Sequence, residues 1–270
     1  MLTEVRDTRL WVEDSGGDQP IVAFSHGLLW SAKMFEAQRA GLAGDHRIVA
    51  WDHRGQGRSA PVPGRVAAIE DNYLDAVDVI EGLGRPVHFV GLSMGGFVGL
   101  RLAARRPELV RSLVLMCTAA DPEPEANHGR YRLLGLVARL FGVGIVSGRV
   151  MPIMFGQDFL DDPARADERA RWRKELMGNR RDIVKAVYGV IERDGVEDEV
   201  GRIACPTLLL AGEDDRAIAR PRMEALAAAI PGARLEVVPK AGHSLSVEQG
   251  AAALERMRRF YAEIGAQSPV

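Results

Sequence analysis

Short, wholly apolar runs alternate along much of this chain with stretches in which apolar residues recur at helical spacing. Residues 21–25 (Ile-Val-Ala-Phe-Ser), 47–51, 87–91, 113–117, 207–211 and 235–238 are β-type runs, most of them apolar on both faces. Strands covered by helices on both sides carry that pattern. Between them, Ile69, Tyr73, Val77 and Ile80 recur at intervals of four and three, which makes one apolar stripe on a helix. Residues 95–106 predict a second helix, stopped by Pro107, and residues 222–230 a third, ended by Pro231-Gly232. Repeated strand–helix alternation predicts an α/β fold with a doubly wound, mostly parallel sheet.

The alternation fails between about residues 121 and 201. This segment opens on the turn-rich Asp121-Pro-Glu-Pro-Glu and closes near Pro206. It contains helical patterns without strands, apolar over 133–155 and heavily charged over 161–181. The expected organisation is a core domain built from 1–120 and 202–270, with 121–201 inserted as a helical cap. A chain of 270 residues suits that arrangement.

Composition narrows the partners. Lys and Arg total 35 against 37 for Asp and Glu, a net charge of -2. That balance favours neither nucleic acid nor an anionic membrane as the main partner, so a small molecule is expected; the sequence does not set the oligomeric state. The longest apolar stretch, 133–146, is too short to cross a bilayer and is broken by Arg139 and three glycines. No apolar signal core opens the chain, so a cytoplasmic location is expected. Cys117 and Cys205 are too few and too far apart for a disulfide framework or a zinc site, and are expected to be buried thiols.

The candidate chemistry centres on residues 87–96, Val-His-Phe-Val-Gly-Leu-Ser-Met-Gly-Gly, which run from a predicted strand into a predicted helix. Their middle, Gly91-Leu92-Ser93-Met94-Gly95, has the G-x-S-x-G pattern. A serine on so tight a turn projects its hydroxyl above the sheet, and glycines on either side remove side chains that would strike neighbouring backbone. The following helix aims its first N–H groups at any oxyanion formed there. A serine hydroxyl needs a base and the base an orienting acid. Candidates lie at the ends of late strands: Glu213, Asp214 and Asp215 after 207–211, and His243 after 235–238. In open parallel sheets, sites form at such strand ends.

The serine turn, with these late acids and histidine, resembles the α/β-hydrolase superfamily over about residues 10–264, in its esterase, enol-lactonase and haloperoxidase-like branch. The resemblance implies Ser93 as nucleophile, His243 as base and, from the spacing Gly212-x-x-Asp, Asp215 as acid, with Asp214 as fallback. It implies oxyanion donors on the N–H groups of Leu28, in the His26-Gly27 corner, and Met94; His26 itself is expected to orient. Residues 51–59 resemble the D-x-R-G-x-G-x-S loop, with a structural role for Asp52, Arg54, Gly55, Gly57 and Ser59. The expected pocket is apolar: Leu28, Leu29, Trp30 and Met94, with cap residues Leu136, Leu140, Val150, Met154 and Phe155.

The implied reaction is acyl transfer that needs no cofactor and no metal, on an ester or lactone of a small to medium hydrophobic acyl group. Carbon–carbon hydrolysis of a diketone and cofactor-free perhydrolysis use the same residues, and a ligand-binding receptor on this scaffold is the non-enzyme alternative. Serine at the turn argues against dehalogenase and epoxide hydrolase relatives, whose turn carries Asp. Met94 in place of Trp argues against proline iminopeptidase relatives.

Overall fold

The computed structural model describes residues 1–267. Eight strands form one sheet: β1 (Leu2–Val5), β2 (Thr8–Asp14), β3 (Ile21–Ser25), β4 (Arg47–Trp51), β5 (Val87–Leu92), β6 (Val110–Met116), β7 (Thr207–Gly212) and β8 (Arg234–Val238). Their order is β1-β2-β4-β3-β5-β6-β7-β8, parallel from β4 to β8, with β1 and β2 antiparallel at one edge. Eleven helices surround it: α1 (Glu36–Leu42), α2 (Ile69–Glu81), α3 (Met94–Arg105), α4 (Glu125–Phe141), α5 (Val143–Met154), α6 (Gln157–Asp161), α7 (Ala166–Met177), α8 (Val184–Ile191), α9 (Arg220–Ala229), α10 (Leu245–Glu248) and α11 (Gly250–Gln267). The six strands expected from apolar runs are β3 to β8.

The central strands β3 and β5 are buried at every position, because helices cover both faces of the sheet. Two apolar layers result. One, with Val22, Phe24, Val90 and Met116, faces α1, α11 and the helices α4 to α8; the other, with Ala23, Val49, Phe89 and Leu115, faces α2, α3 and α9. Helix α3 lies close to the sheet because it is rich in glycine: a Cβ at Gly99 would press on the Phe89 ring.

Loop 52–59 behaves as a brace. Arg54 forms a buried bidentate pair with Asp75 on α2 and a bond to Asp7 in the β1–β2 turn. Asp52 accepts from the N–H groups of Ala32 and Arg58, both at 2.9 Å. The arginine therefore ties the antiparallel edge, α2 and this loop together.

All elements between β6 and β7 are helical. This segment returns to the sheet through an aromatic cluster. Trp30, after β3, meets Phe155 (centroids 5.7 Å apart) and Trp172 (5.3 Å), and Phe155 stacks on Phe159 at 4.6 Å. Among the described residues no helix is long and apolar enough to cross a membrane.

Candidate active site

Ser93 stands between β5 and α3 with φ 52° and ψ −111°, a backbone conformation that costs an L-residue free energy. Its neighbours explain how the turn closes. A Cβ at Gly95 would overlap the Ser25 carbonyl, and one at Gly91 would overlap the Gly95 carbonyl. Glycine at both positions is thus a requirement of backbone contact, as the pattern predicts. The Ser93 N–H donates to Met116 C=O at 2.9 Å, locking the turn to β6.

Three side chains from three strand ends form one hydrogen-bonded line. Ser93 Oγ lies 2.9 Å from His243 Nε2, and His243 Nδ1 lies 3.0 Å from both carboxylate oxygens of Asp215. Asp215 Oδ1 also accepts from the N–H groups of Ala217 (2.8 Å) and Ile218 (3.0 Å), which fixes the carboxylate. An ionised carboxylate only accepts, so Nδ1 carries the proton and Nε2 is left to accept from the serine hydroxyl. The His243 and Asp215 side chains are 4% and 1% exposed. Burial works against the imidazolium, but the Asp215 charge and hydrogen bond outweigh it and raise the His243 pKa above its ordinary 6.5. Of the three acids weighed, only Asp215 reaches the histidine. Glu213 instead accepts from Lys240 N–H at 3.1 Å, and Asp214 holds the Ala241 carbonyl through its own N–H.

The other side of the serine is built by the corner after β3. His26 Nε2 accepts from His53 N–H at 2.8 Å, so the ring proton sits on Nδ1 and donates to Gly27 C=O at 2.7 Å. Burial lowers the His26 pKa, keeping the ring neutral. Trp30 N–H also donates to the Gly27 carbonyl. The peptide is trans, so Leu28 N–H points opposite to that engaged carbonyl. Leu29 has φ 72°, and its N–H is taken by Gln56 Oε1 at 2.9 Å. Met94 opens α3, so its N–H lacks an acceptor four residues back in the helix.

Ser93 and His243 open on a cavity of about 120 Å³. Leu28, Leu29, Val150 and Met154 line it, together with Leu134, Ala138, Val146 and Ile153 from α4 and α5, and Val184, Val187 and Ile191 from α8. Five expected wall residues are not on its wall; Met94 packs with Ile69 and Phe97 instead. Trp30 and Phe155 are buried in the aromatic cluster behind the cavity. Leu140 is 53% exposed, and Leu136, also expected, is 46% exposed. The reason is helical phase: Tyr131, Leu134, Gly135 and Ala138 share the inner face of α4, and residues two positions away from Ala138 fall on the other side.

Two polar features had no sequence signal. Glu123 lines the cavity and is held by Arg193 (3.1 Å) and Asn127 (2.8 Å), and Arg193 also lies over the Phe97 ring. Glu248 is buried on α10. Its Oε2 accepts from Gly242 N–H (3.0 Å), beside His243, and from Gly156 N–H (2.8 Å), at the end of α5. Ser244 N–H donates to Met154 C=O at 2.8 Å. The loop carrying His243 is therefore pinned to the helical segment on both sides of the histidine. Burial pushes the Glu248 carboxyl up to about 7. An acid five residues past a histidine has no pattern that separates it from a surface glutamate.

Cys117 is buried and Cys205 partly buried. Among the described residues, Cys117, Asp215 and His243 are the one grouping whose donor atoms all lie within 4.8 Å. Burial pushes the Cys117 thiol well up, and His243 Nδ1 and Asp215 already face each other, so this donor set suits packing better than metal binding.

The sheet order, the strained serine turn and the buried Ser–His–Asp line define the class. Sequence agrees: the profile of the alpha/beta hydrolase family matches residues 22–256, and the chain belongs to that family. It is 30% identical over 250 residues to a protein named "Putative carbamate hydrolase RutD" from Caulobacter sp. (strain K31), covering 88% of this chain and 90% of that one. Its counterpart of the same name from Pseudomonas savastanoi pv. phaseolicola is 29% identical over 233 residues, 85% and 89% of the two chains. Among solved structures, the enol-lactonase from Burkholderia xenovorans LB400 superposes with a TM-score of 0.89 at 26% identity, over 97% of this chain and 100% of that one. The thermophilic esterase from Thermogutta terrifontis gives 0.87 at 27% identity, over 97% of each chain.

Proposed function

We propose that this hydrolase is a serine enzyme cleaving a carboxylic ester or lactone of a small to medium hydrophobic acyl group through an acyl-enzyme. The observation that carries the reading is the Ser93–His243–Asp215 line, with spacings of 2.9 and 3.0 Å, opening on an apolar cavity. In this reading His243 Nε2 takes the Ser93 proton as Oγ attacks the substrate carbonyl. The N–H groups of Leu28 and Met94 receive the oxyanion; the engaged Gly27 carbonyl and the start of α3 support those roles. His243 then protonates the leaving alkoxide or enolate, and water, deprotonated by His243, releases the acid and restores Ser93. Asp215 keeps the imidazole in the Nδ1–H form and stabilises its cation. Helices α4 to α8 act as the cap that shapes the acyl site. Nothing in these steps calls for a metal or cofactor.

A carbamate is the second reading, favoured by the names of the relatives. Its carbonyl would meet the same groups, but its amine-bearing side finds few polar partners in so apolar a cavity. The test is a kcat/KM panel of p-nitrophenyl esters, an enol-lactone, a carbamate, a vinylogous diketone and an aminoacyl anilide. Esters or the lactone are expected to lead, and preference for the carbamate or diketone would reassign the substrate. Ser93→Ala is expected to lower turnover by several orders of magnitude, in line with about 10⁶ for loss of a serine nucleophile. A fluorophosphonate should label Ser93 in the wild type alone; labelling elsewhere would overturn the assignment.

A further inference from the structure

Helices α4 and α5 have two apolar faces. The inner one lines the cavity. The outer one carries Leu133, Leu136 and Leu140 along α4, then Phe141 and Ile145, which are 66% and 69% exposed. Met177 extends the patch; it is exposed and lies beside Gly144. Scattered exposed apolar residues need no explanation, but a continuous stripe of large ones does.

The charges around the stripe identify its occupant. Between Glu125 and Asp158 the chain has four arginines, Arg130, Arg132, Arg139 and Arg149, and no acid, although the whole chain has net charge -2. All four are exposed. Arg139 and Arg149 form no ion pair among the described residues, and Arg130 lies over the ring of Tyr131. Arg132 reaches Glu192 only at 3.7 Å, and Glu192 is shared with Arg65. Bulky apolar side chains rimmed by arginines, two of them without an ion pair among the described residues, suit a surface that is apolar within and anionic at its boundary. A second copy fits poorly: a two-fold contact would set each group of arginines against its own copy.

We infer that the outer face of α4 and α5 docks on an anionic lipid surface, with Leu140, Phe141 and Ile145 entering the acyl boundary and Arg139 and Arg149 meeting headgroup phosphates. The stretch 133–146, too short to span a bilayer, is long enough to lie on one. Docking there places the walls of the cavity next to the lipid phase.

The test is flotation of the whole protein with phosphatidylglycerol–phosphatidylcholine vesicles and with phosphatidylcholine vesicles alone. The wild type is expected to float with the anionic vesicles, and less so in high salt. Arg139→Gln with Arg149→Gln, and Phe141→Asp with Ile145→Asp, should each weaken binding by more than about tenfold. Thermal melts should stay unchanged, since these side chains are exposed. Wild-type protein that does not float, or floats equally on phosphatidylcholine alone, overturns the inference. So does a concentration-dependent dimer in sedimentation velocity that Phe141→Asp with Ile145→Asp dissolves, which would assign the patch to a second copy.

Discussion

At His243 two opposing effects decide the protonation state. Burial favours the neutral ring; Asp215, 3.0 Å away, favours the cation and prevails. The neutral ring is the one that can accept the Ser93 proton. Ester turnover should therefore rise with pH, with its midpoint above the ordinary 6.5, and a flat pH–rate profile across neutrality would remove His243 from the role of base. Asp215→Asn should lower kcat by about 10⁴, because the amide can favour the wrong imidazole tautomer. It should also move the midpoint of the residual activity downward, since the main influence opposing burial is removed and only the more weakly acting Glu248 and Glu123 still favour the cation. Asp214→Asn, at the neighbouring acid that makes no bond to the ring, should change kcat by less than about threefold. Equal losses from the two substitutions would shift the orienting role from Asp215. The candidate serine was legible in the sequence because its turn is constrained by backbone, Gly95 being unable to carry a Cβ against the Ser25 carbonyl, and the candidate histidine because it follows the last apolar run, now β8. Choosing among three consecutive acids rested on spacing, and geometry makes the choice physical: Asp215 is the one whose carboxylate accepts the Ala217 and Ile218 N–H groups while facing the ring.

Among the elements, α10 has a part out of proportion to its single turn. Glu248 satisfies two buried backbone donors, one on the His243 loop and one at the end of α5. Glu248→Ala would leave both unpaired, at a cost of roughly 3 kcal/mol, and should lower kcat more than it raises KM, because it positions the loop of the residue proposed as base. Glu248→Gln keeps an acceptor and should retain most activity. The pH dependence of stability separates the two forms. The folded carboxyl, pushed by burial from 4.5 to about 7, contributes stability that is present below 4.5 and lost as pH rises through 7. Wild-type melting temperature should fall over that window relative to Glu248→Gln; parallel curves would mean the carboxyl is not held up by burial. Elements were legible where burial is two-sided. The strands β3 to β8 are such runs, whereas β1 and β2 form an edge hairpin with exposed positions interleaved, and three of the four residues of β1 are exposed. Without a continuous apolar run they gave no signal.

For the molecule as a whole, the apolar positions of the helical segment divide between three tasks that a sequence pattern does not separate: lining the cavity, packing behind it, and facing outward. Phe155 belongs to the second. Phe155→Ala should destabilise the protein by about 3–5 kcal/mol through loss of its contacts with Trp30 and Phe159, without a specific change in acyl-chain preference. Val150 belongs to the first, and Val150→Phe should cut kcat/KM for longer acyl chains by about tenfold or more relative to acetate. If Phe155→Ala changed chain-length preference in a fully stable protein, the boundary of the cavity would be other than described. Individual side-chain directions on α4 depend on how that helix is rotated against α5 and α8, and tertiary packing sets that rotation.

The sheet order has a consequence for how the chain acquires its site. Strand β6 pairs with β7, which follows it only after the whole run of helices α4 to α8. As synthesis proceeds from the N-terminus, the turn bearing Ser93 is made first, while Asp215 and His243 are more than a hundred residues from being translated. The loop that must close between β6 and β7 is long, and such non-local pairings form late and slowly. During that interval the edge of β6 that takes β7 has no strand partner. A growing chain therefore carries its strained serine before the groups that make it reactive in the proposed mechanism, and on that mechanism it remains chemically silent until β7 and β8 have docked. The same order makes the unfinished intermediate the vulnerable one, with an open strand edge.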